Sequence, residues 1–173
     1  MQVSQRFASR RSIGAAILGA TLALAGCASN QAANEASSVT THHAAKAVGA
    51  SKSGKGYLAQ IRVSHGLPAL AYDPKLESAA LEQALYMARS GRMAHTTGSG
   101  RDFVSRIRSK GITTVAAENV AYGDLDLSKV FAMWMNSQGH RQNMLNPQFS
   151  RFGLAYVSEA GSNRRYWALV VSG

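Results

Sequence analysis

Between Ala28 and about Ser53 the chain consists almost wholly of Ala, Ser, Asn, Thr and Gln, with no aliphatic side chain larger than Val39 and Val48. Such a segment buries too little apolar surface to offset the entropy of ordering it. It therefore divides the 173 residues into an apolar leader, a polar tether and one foldable stretch from about Gly54 to Gly173. That stretch is the size of a single domain. The only cysteine, Cys27, lies outside it, so the domain folds without a disulfide and without a multi-cysteine metal site. With 16% charged residues and ordinary aliphatic content, the whole chain is neither disordered throughout nor a solenoid.

Residues 1–26 have the layout of an export signal: Arg6, Arg10 and Arg11, an apolar run from Ile13 to Ala25, and a small-residue exit. The run falls short of the roughly 20 apolar residues that a transmembrane helix needs. Leu24-Ala25-Gly26-Cys27 resembles the bacterial lipobox, in which the cysteine thiol receives a diacylglycerol and, after cleavage before it, the new amino group is acylated. The alternative is an ordinary secretory signal beside a chance cysteine. Ser9-Arg10-Arg11-Ser12-Ile13 leaves both the general and the twin-arginine export routes open.

Cleavage lowers the net charge from +10 to +7, because three arginines and no acid leave with the signal. An envelope protein meets no genomic DNA, so the surplus is matched to lipid headgroups or acidic wall polymers rather than nucleic acid. The resemblance to Gram-negative lipoproteins implies that Ala28, a non-acidic residue after Cys27, permits transfer to the outer membrane if the host is Gram-negative. A tether over residues 27–53 would hold the domain on the order of 30 Å from the membrane. Its His42-His43 pair is expected to be solvated, with loose metal binding as the alternative reading.

In the domain, Tyr57, Leu58, Ile61 and Arg62 predict a first helix that ends at Gly66 and Pro68. Asp73-Pro74 supplies an N-cap with proline at the first helical position, opening a helix that runs to Gly91. A shorter helix is predicted from Asp102 to Lys110, closed by Gly111. Leu127, Val130, Phe131, Trp134 and Met135 follow helical spacing and mark a core-facing stripe. Phe152 to Ser158 and Arg165 to Val171 read as strands joined by a turn at Gly161-Ser162-Asn163. Helices first and a terminal hairpin last predict an α+β layered domain.

Polar residues cluster at Met93-Ala94-His95, Ala117-Glu118-Asn119-Val120-Ala121, Trp134-Met135-Asn136-Ser137 and Gly139-His140-Arg141-Gln142-Asn143-Met144-Leu145-Asn146-Pro147. With Gly66-Leu67-Pro68, Tyr72-Asp73-Pro74, Phe152-Gly153-Leu154-Ala155 and Tyr166-Trp167, these pieces resemble, in order, the bacterial SCP-like branch of the CAP superfamily (cysteine-rich secretory, antigen 5 and pathogenesis-related proteins). The resemblance covers residues 56 to 173 and implies an α-β-α sandwich with a small antiparallel sheet between helices. It also implies that His95, Glu118 and His140 line the family's cavity. Where many eukaryotic members have a second glutamate, this chain has Ser137, so the two-histidine, two-glutamate set is incomplete.

Three readings of these residues stand open. Two imidazoles and a carboxylate are a sufficient first shell for zinc or another divalent metal, which would make His95, Glu118 and His140 candidate ligands. Equally, Glu118 could orient the histidines in a structural polar cluster. Ser137 and His140, three residues apart, could form a nucleophile and base with Glu118, although no nucleophile elbow surrounds Ser137. Asn143, Asn146 and Pro147 are read as helix-terminating, Arg141 as reaching the last carbonyls or Glu118, and Trp134, Tyr166 and Trp167 as core, with a ligand groove as the alternative place for Tyr166 and Trp167. The function expected is a non-enzymatic, lipid-anchored binding module for an envelope lipid, glycan or peptide. The alternative is a metal-assisted peptidase or esterase using His95, Glu118 and His140.

Overall fold

The computed structural model describes residues 45–173. The export signal, Cys27 and the His42-His43 pair lie outside the described residues. Ten elements follow in order: β1 (Ala47–Gly49), α1 (Ser51–Ser64), β2 (Ala71–Tyr72), α2 (Pro74–Ser90), α3 (Phe103–Ser109), β3 (Ala116–Gly123), α4 (Leu127–Asn136), α5 (Gln138–Met144), β4 (Arg151–Ser158) and β5 (Arg165–Ser172). Among the described residues no helix is long and apolar enough to cross a membrane.

Ordered structure thus begins before Gly54, which shortens the polar tether expected to run to Ser53. Two things order this stretch without large apolar side chains. β1 pairs through its backbone with β4, Ala47 opposite Val157 and Gly49 opposite Ala155. Ser51, at the start of α1, then accepts a 2.8 Å hydrogen bond on Oγ from Leu154 N and donates its own N–H to Glu77 Oε2 at 3.0 Å. Composition measures apolar burial and is blind to both.

The caps behave as their chemistry dictates. Asp73 Oδ1 accepts from Lys75 N at 2.7 Å and Leu76 N at 3.4 Å, Pro74 occupies the first turn, and Gly91 ends α2 in the left-handed region at φ 63°. Asp102 and Asp126 cap α3 and α4 in the same way, accepting from Ser105 N and Lys129 N. On α4, Val130, Phe131 and Trp134 are buried, with Leu127 and Met135 partly buried against the same cluster.

The strands form one sheet in the order β1-β4-β5-β3, antiparallel throughout that path, with β2 adding a short parallel pairing to β4. Side chains alternate across it, so the core has two halves. On one face Leu154, Trp167, Leu169 and Val171 pack with Leu58 of α1, Phe131 and Trp134 of α4 and Met144 of α5. On the other, Val120, Ala155, Ala168 and Val170 pack with Leu76, Ala80 and Met87 of α2 and Ile107 of α3. Burying such a side chain contributes about 1.5–3 kcal/mol each. The result is the expected α+β class, an α-β-α sandwich with a small antiparallel sheet between helices. α2 lies so close to β4 that a Cβ at Gly153 would run into the backbone of Leu76 and Glu77. That close approach explains the glycine in the Phe152-Gly153-Leu154-Ala155 segment.

Arg62 fastens the far end of the fold. Its fully buried guanidinium donates to Pro68 O at 2.8 Å, Met144 O at 2.8 Å, Asn146 O at 3.0 Å and Phe149 O at 3.3 Å. Burial lowers the pKa of this side chain from its ordinary value. The four carbonyls tie α1 to the loop that follows it and to the segment between α5 and β4.

Candidate functional site

β3 is an edge strand, paired among the described residues only with β5, Glu118 standing opposite Val170. Residues 116, 118, 120 and 122 therefore face α2 and α3, whereas 117, 119 and 121 face α4 and α5. Apolar alternation in β3 is broken by Glu118 and Asn119, which hid this strand from periodicity.

Glu118 points into the α2–α3 side with its side chain 2% exposed, and both of its oxygens are occupied. Oε2 accepts from Arg106 Nη2 of α3 at 2.5 Å, and Oε1 is 2.9 Å from His95 Nδ1 on the loop after α2. Arg106 is itself buried, donates through Nη1 to Arg101 O at 3.2 Å, and lies 5.8 Å from the Phe103 ring centre. The His95 loop is held by Gln83 of α2, whose amide donates to Ala94 O. A buried carboxylate demands a cation or several donors. Here the cation is Arg106, which motif reading missed. The signal was present: Arg106 follows Phe103 by three positions and precedes Ile107, so it shares the inward side of a short helix.

His95 keeps 54% of its side chain exposed, leaving its outer ring edge toward solvent. The hydrogen bond to Glu118 raises its pKa above the ordinary value, with the carboxylate's charge adding and burial and Arg106 opposing. His140 of α5 is pushed the other way, first by burial and then by the charge of nearby His95. Its Nδ1 is buried with no hydrogen-bond partner among the described residues. Asn119, on the opposite side of β3, fixes the backbone beneath it. Asn119 Nδ2 donates to His140 O at 3.0 Å, and Asn143 Nδ2 donates to Asn119 Oδ1 at 2.9 Å, lying also 3.4 Å from Glu118 O. Trp134 Nε1 donates to Val120 O at 3.2 Å. Asn143 and Trp134 thus satisfy carbonyls along the sheet edge, which keeps that edge from recruiting another strand.

The sequence-derived set is only partly assembled. His95 and Glu118 are in direct contact, and His140 lies within electrostatic reach of His95. Among the described residues no group of three or more His, Cys, Asp or Glu side chains is placed to hold a metal ion. The donor set does not fit zinc, because the one carboxylate is already charge-balanced by Arg106 and hydrogen-bonded to His95. Ser137 is the extended link between α4 and α5, at φ −96° and ψ 122°, and makes no side-chain cap. It separates α4 from α5, so Ser137 and His140 do not lie within one continuous helix. Arg141 reaches Met135 O rather than Glu118. Asn143 acts as a strut between α5 and β3 rather than a helix stop. Trp134, Tyr166 and Trp167 are buried, as expected of core residues.

An antiparallel sheet between two helical layers, with a Glu and two His at its β3 edge, defines the class of domain. The chain belongs to the CAP, or cysteine-rich secretory protein, family, which matches residues 55–171. It is 35% identical over 102 residues to the uncharacterized protein YkwD of Bacillus subtilis (strain 168), covering 58% of this chain and 39% of that one. To the uncharacterized membrane protein YlbC of the same organism it is 28% identical over 108 residues, covering 62% of this chain and 30% of the relative. The chain thus spans well under half the length of these relatives. Among solved structures, an extracellular protein containing a SCP domain from Bacillus anthracis str. Ames superposes with a TM-score of 0.62 at 24% identity, covering 70% of this chain and 39% of that one. An outer surface protein from Borrelia burgdorferi gives 0.66 at 21% identity, covering 74% and 97%. These likenesses bear on the fold.

Proposed function

We propose that this protein is a cell-envelope lipoprotein, anchored through acylated Cys27, whose CAP domain is a non-enzymatic binding module for an envelope lipid, glycan or peptide. The observation that carries the binding reading is the double engagement of Glu118 by Arg106 at 2.5 Å and His95 at 2.9 Å. A carboxylate so engaged is a poor general base or metal ligand, while the exposed edge of His95 remains available to a ligand. The anchor reading is supported by the order of charge, apolar run, small residues and cysteine in residues 1–27. In a Gram-negative host Ala28 supports placement at the outer membrane.

Three experiments test this. Capture of envelope lipids and glycans on the purified protein, followed by mass spectrometry, should retain a component that a His95→Ala variant retains less. Ester or peptide hydrolysis abolished by Glu118→Gln would overturn the non-enzymatic reading. Radioactive palmitate should label the wild type and not Cys27→Ala; labelling of the variant would refute the anchor.

A further inference from the structure

A concave site lies on the opposite face of the sheet from Glu118. It is a groove of about 440 Å³ between the start of α1, the start of α4 and the β4–β5 strands. That volume is within the roughly 300–1,000 Å³ typical of small-ligand pockets. Two aromatic surfaces line it. Tyr57 is 42% exposed and its ring is stacked nearly parallel on Phe131, with centroids 5.9 Å apart and planes 7° apart. Tyr156, half-buried, rests on the buried Trp167 at 4.6 Å. Both rings are fixed by buried aromatic partners, so a ligand need not order them.

Arg165 lines the same groove and lies over Tyr156. Its guanidinium lies 5.0 Å from the Tyr156 ring centre and 6.0 Å from that of Trp167, and Nη1 donates to Leu125 O at 3.1 Å. Among the described residues no carboxylate pairs with it. The groove's own acid, Asp126, is engaged elsewhere: Oδ1 accepts from Lys129 N at 2.8 Å, and Oδ2 is 4.0 Å from Lys129 Nζ. The groove therefore presents a held cation that no carboxylate pairs with and the exposed ring face of Tyr57, with the hydroxyl-bearing Ser53 and Ser128 at its border.

This combination selects a ligand chemistry. An electron-rich ring face attracts the C–H face of a sugar, and a guanidinium fork pairs with a carboxylate in two parallel hydrogen bonds. A fatty acyl chain is a poor match, because seating it would strip water from Arg165 without giving it a partner. We propose that this groove binds an acidic oligosaccharide, a sugar ring lying on the exposed face of Tyr57 and a carboxylate of the same oligosaccharide on Arg165. The site shares no residue with the His95–Glu118 cluster. It stands or falls independently of what that cluster binds.

The test is calorimetric titration of the full chain with two amino-sugar tetrasaccharides: one of N-acetylglucosamine alone, and one in which alternate units carry a lactyl carboxylate. Wild type should bind the acidic sugar about tenfold more tightly than the neutral one. Arg165→Gln should remove that preference, and Tyr57→Ala should weaken both sugars. Circular dichroism and thermal melting establish that each variant is folded, and Tyr57, being exposed, is the safer of the two substitutions. Equal affinity for both sugars in wild type, an unchanged preference in Arg165→Gln, or no binding of either at millimolar concentration would overturn the proposal. So would binding of anionic phospholipid vesicles, lost in Arg165→Gln, in place of sugar binding.

Discussion

Two buried arginines divide the molecule. Arg62 sits near the end of α1 and donates to four backbone carbonyls, whereas Arg106 on α3 pairs with Glu118 through a side-chain contact of 2.5 Å. The first is a cation satisfied by neutral dipoles, and its work is to hold loops together. The second is half of a charge pair whose other half, Glu118, is also hydrogen-bonded to the half-exposed His95. A buried arginine is thus not evidence of a functional site by itself. What matters is whether its partner is the fold's own backbone or a side chain that would otherwise be reactive.

Substitution should separate the two regions. Arg62→Ala leaves the carbonyls of Pro68, Met144, Asn146 and Phe149 without their donor, and each buried unsatisfied group costs about 1–3 kcal/mol. Urea unfolding should therefore show a loss on the order of 4 kcal/mol or more. A loss below about 1 kcal/mol would mean that water replaces the guanidinium and that the loops are held otherwise.

Breaking the Arg106–Glu118 pair should be the next largest effect. Arg106→Met or Glu118→Met each strands one buried charge, for about 3–5 kcal/mol, whereas the double substitution removes both charges and should cost less than the two single losses combined. If the two losses simply add, the residues are not energetically coupled and the charge-balance reading fails.

The smallest effects are those of pH, and the two histidines should oppose each other. For His95 the pKa is raised by the hydrogen bond to Glu118, so its contribution is complete below the ordinary value of 6.5 and is lost as pH climbs through the higher folded value. For His140 the pKa is lowered by burial, so the unfolded chain binds more protons below 6.5 and stability falls with acidity until the lower folded value is passed. Melting temperatures of His95→Gln and His140→Gln across this range should deviate from wild type in opposite senses. Deviation in the same sense would contradict the arrangement.

Local chemistry made the helices legible. Asp73-Pro74 and Gly91, Asp102, and the stripe through Val130, Phe131 and Trp134 are set within a turn or two of chain, and each lies where its sequence places it. The final hairpin was equally plain, because both strands are apolar and flank a glycine turn. β3 was not, since its two central polar residues are stabilised by Arg106, His95 and Asn143, which are 12 to 24 positions away and on other elements or loops. β1 was hidden for the same reason: backbone pairing and Ser51 hold it, and neither leaves an apolar trace. The candidate residues His95, Glu118 and His140 were found by motif, whereas the short helix from Asp102 to Lys110 was legible as an element but the role of Arg106 within it was not. Long-range charge pairing is the part of the site that local pattern does not encode.

The claim that Arg106 rather than a metal balances Glu118 is tested most directly by zinc titration of the purified protein at neutral pH in a calorimeter. Wild type should show no stoichiometric binding. A saturable one-to-one isotherm that disappears in the His95→Ala, His140→Ala double variant would contradict it.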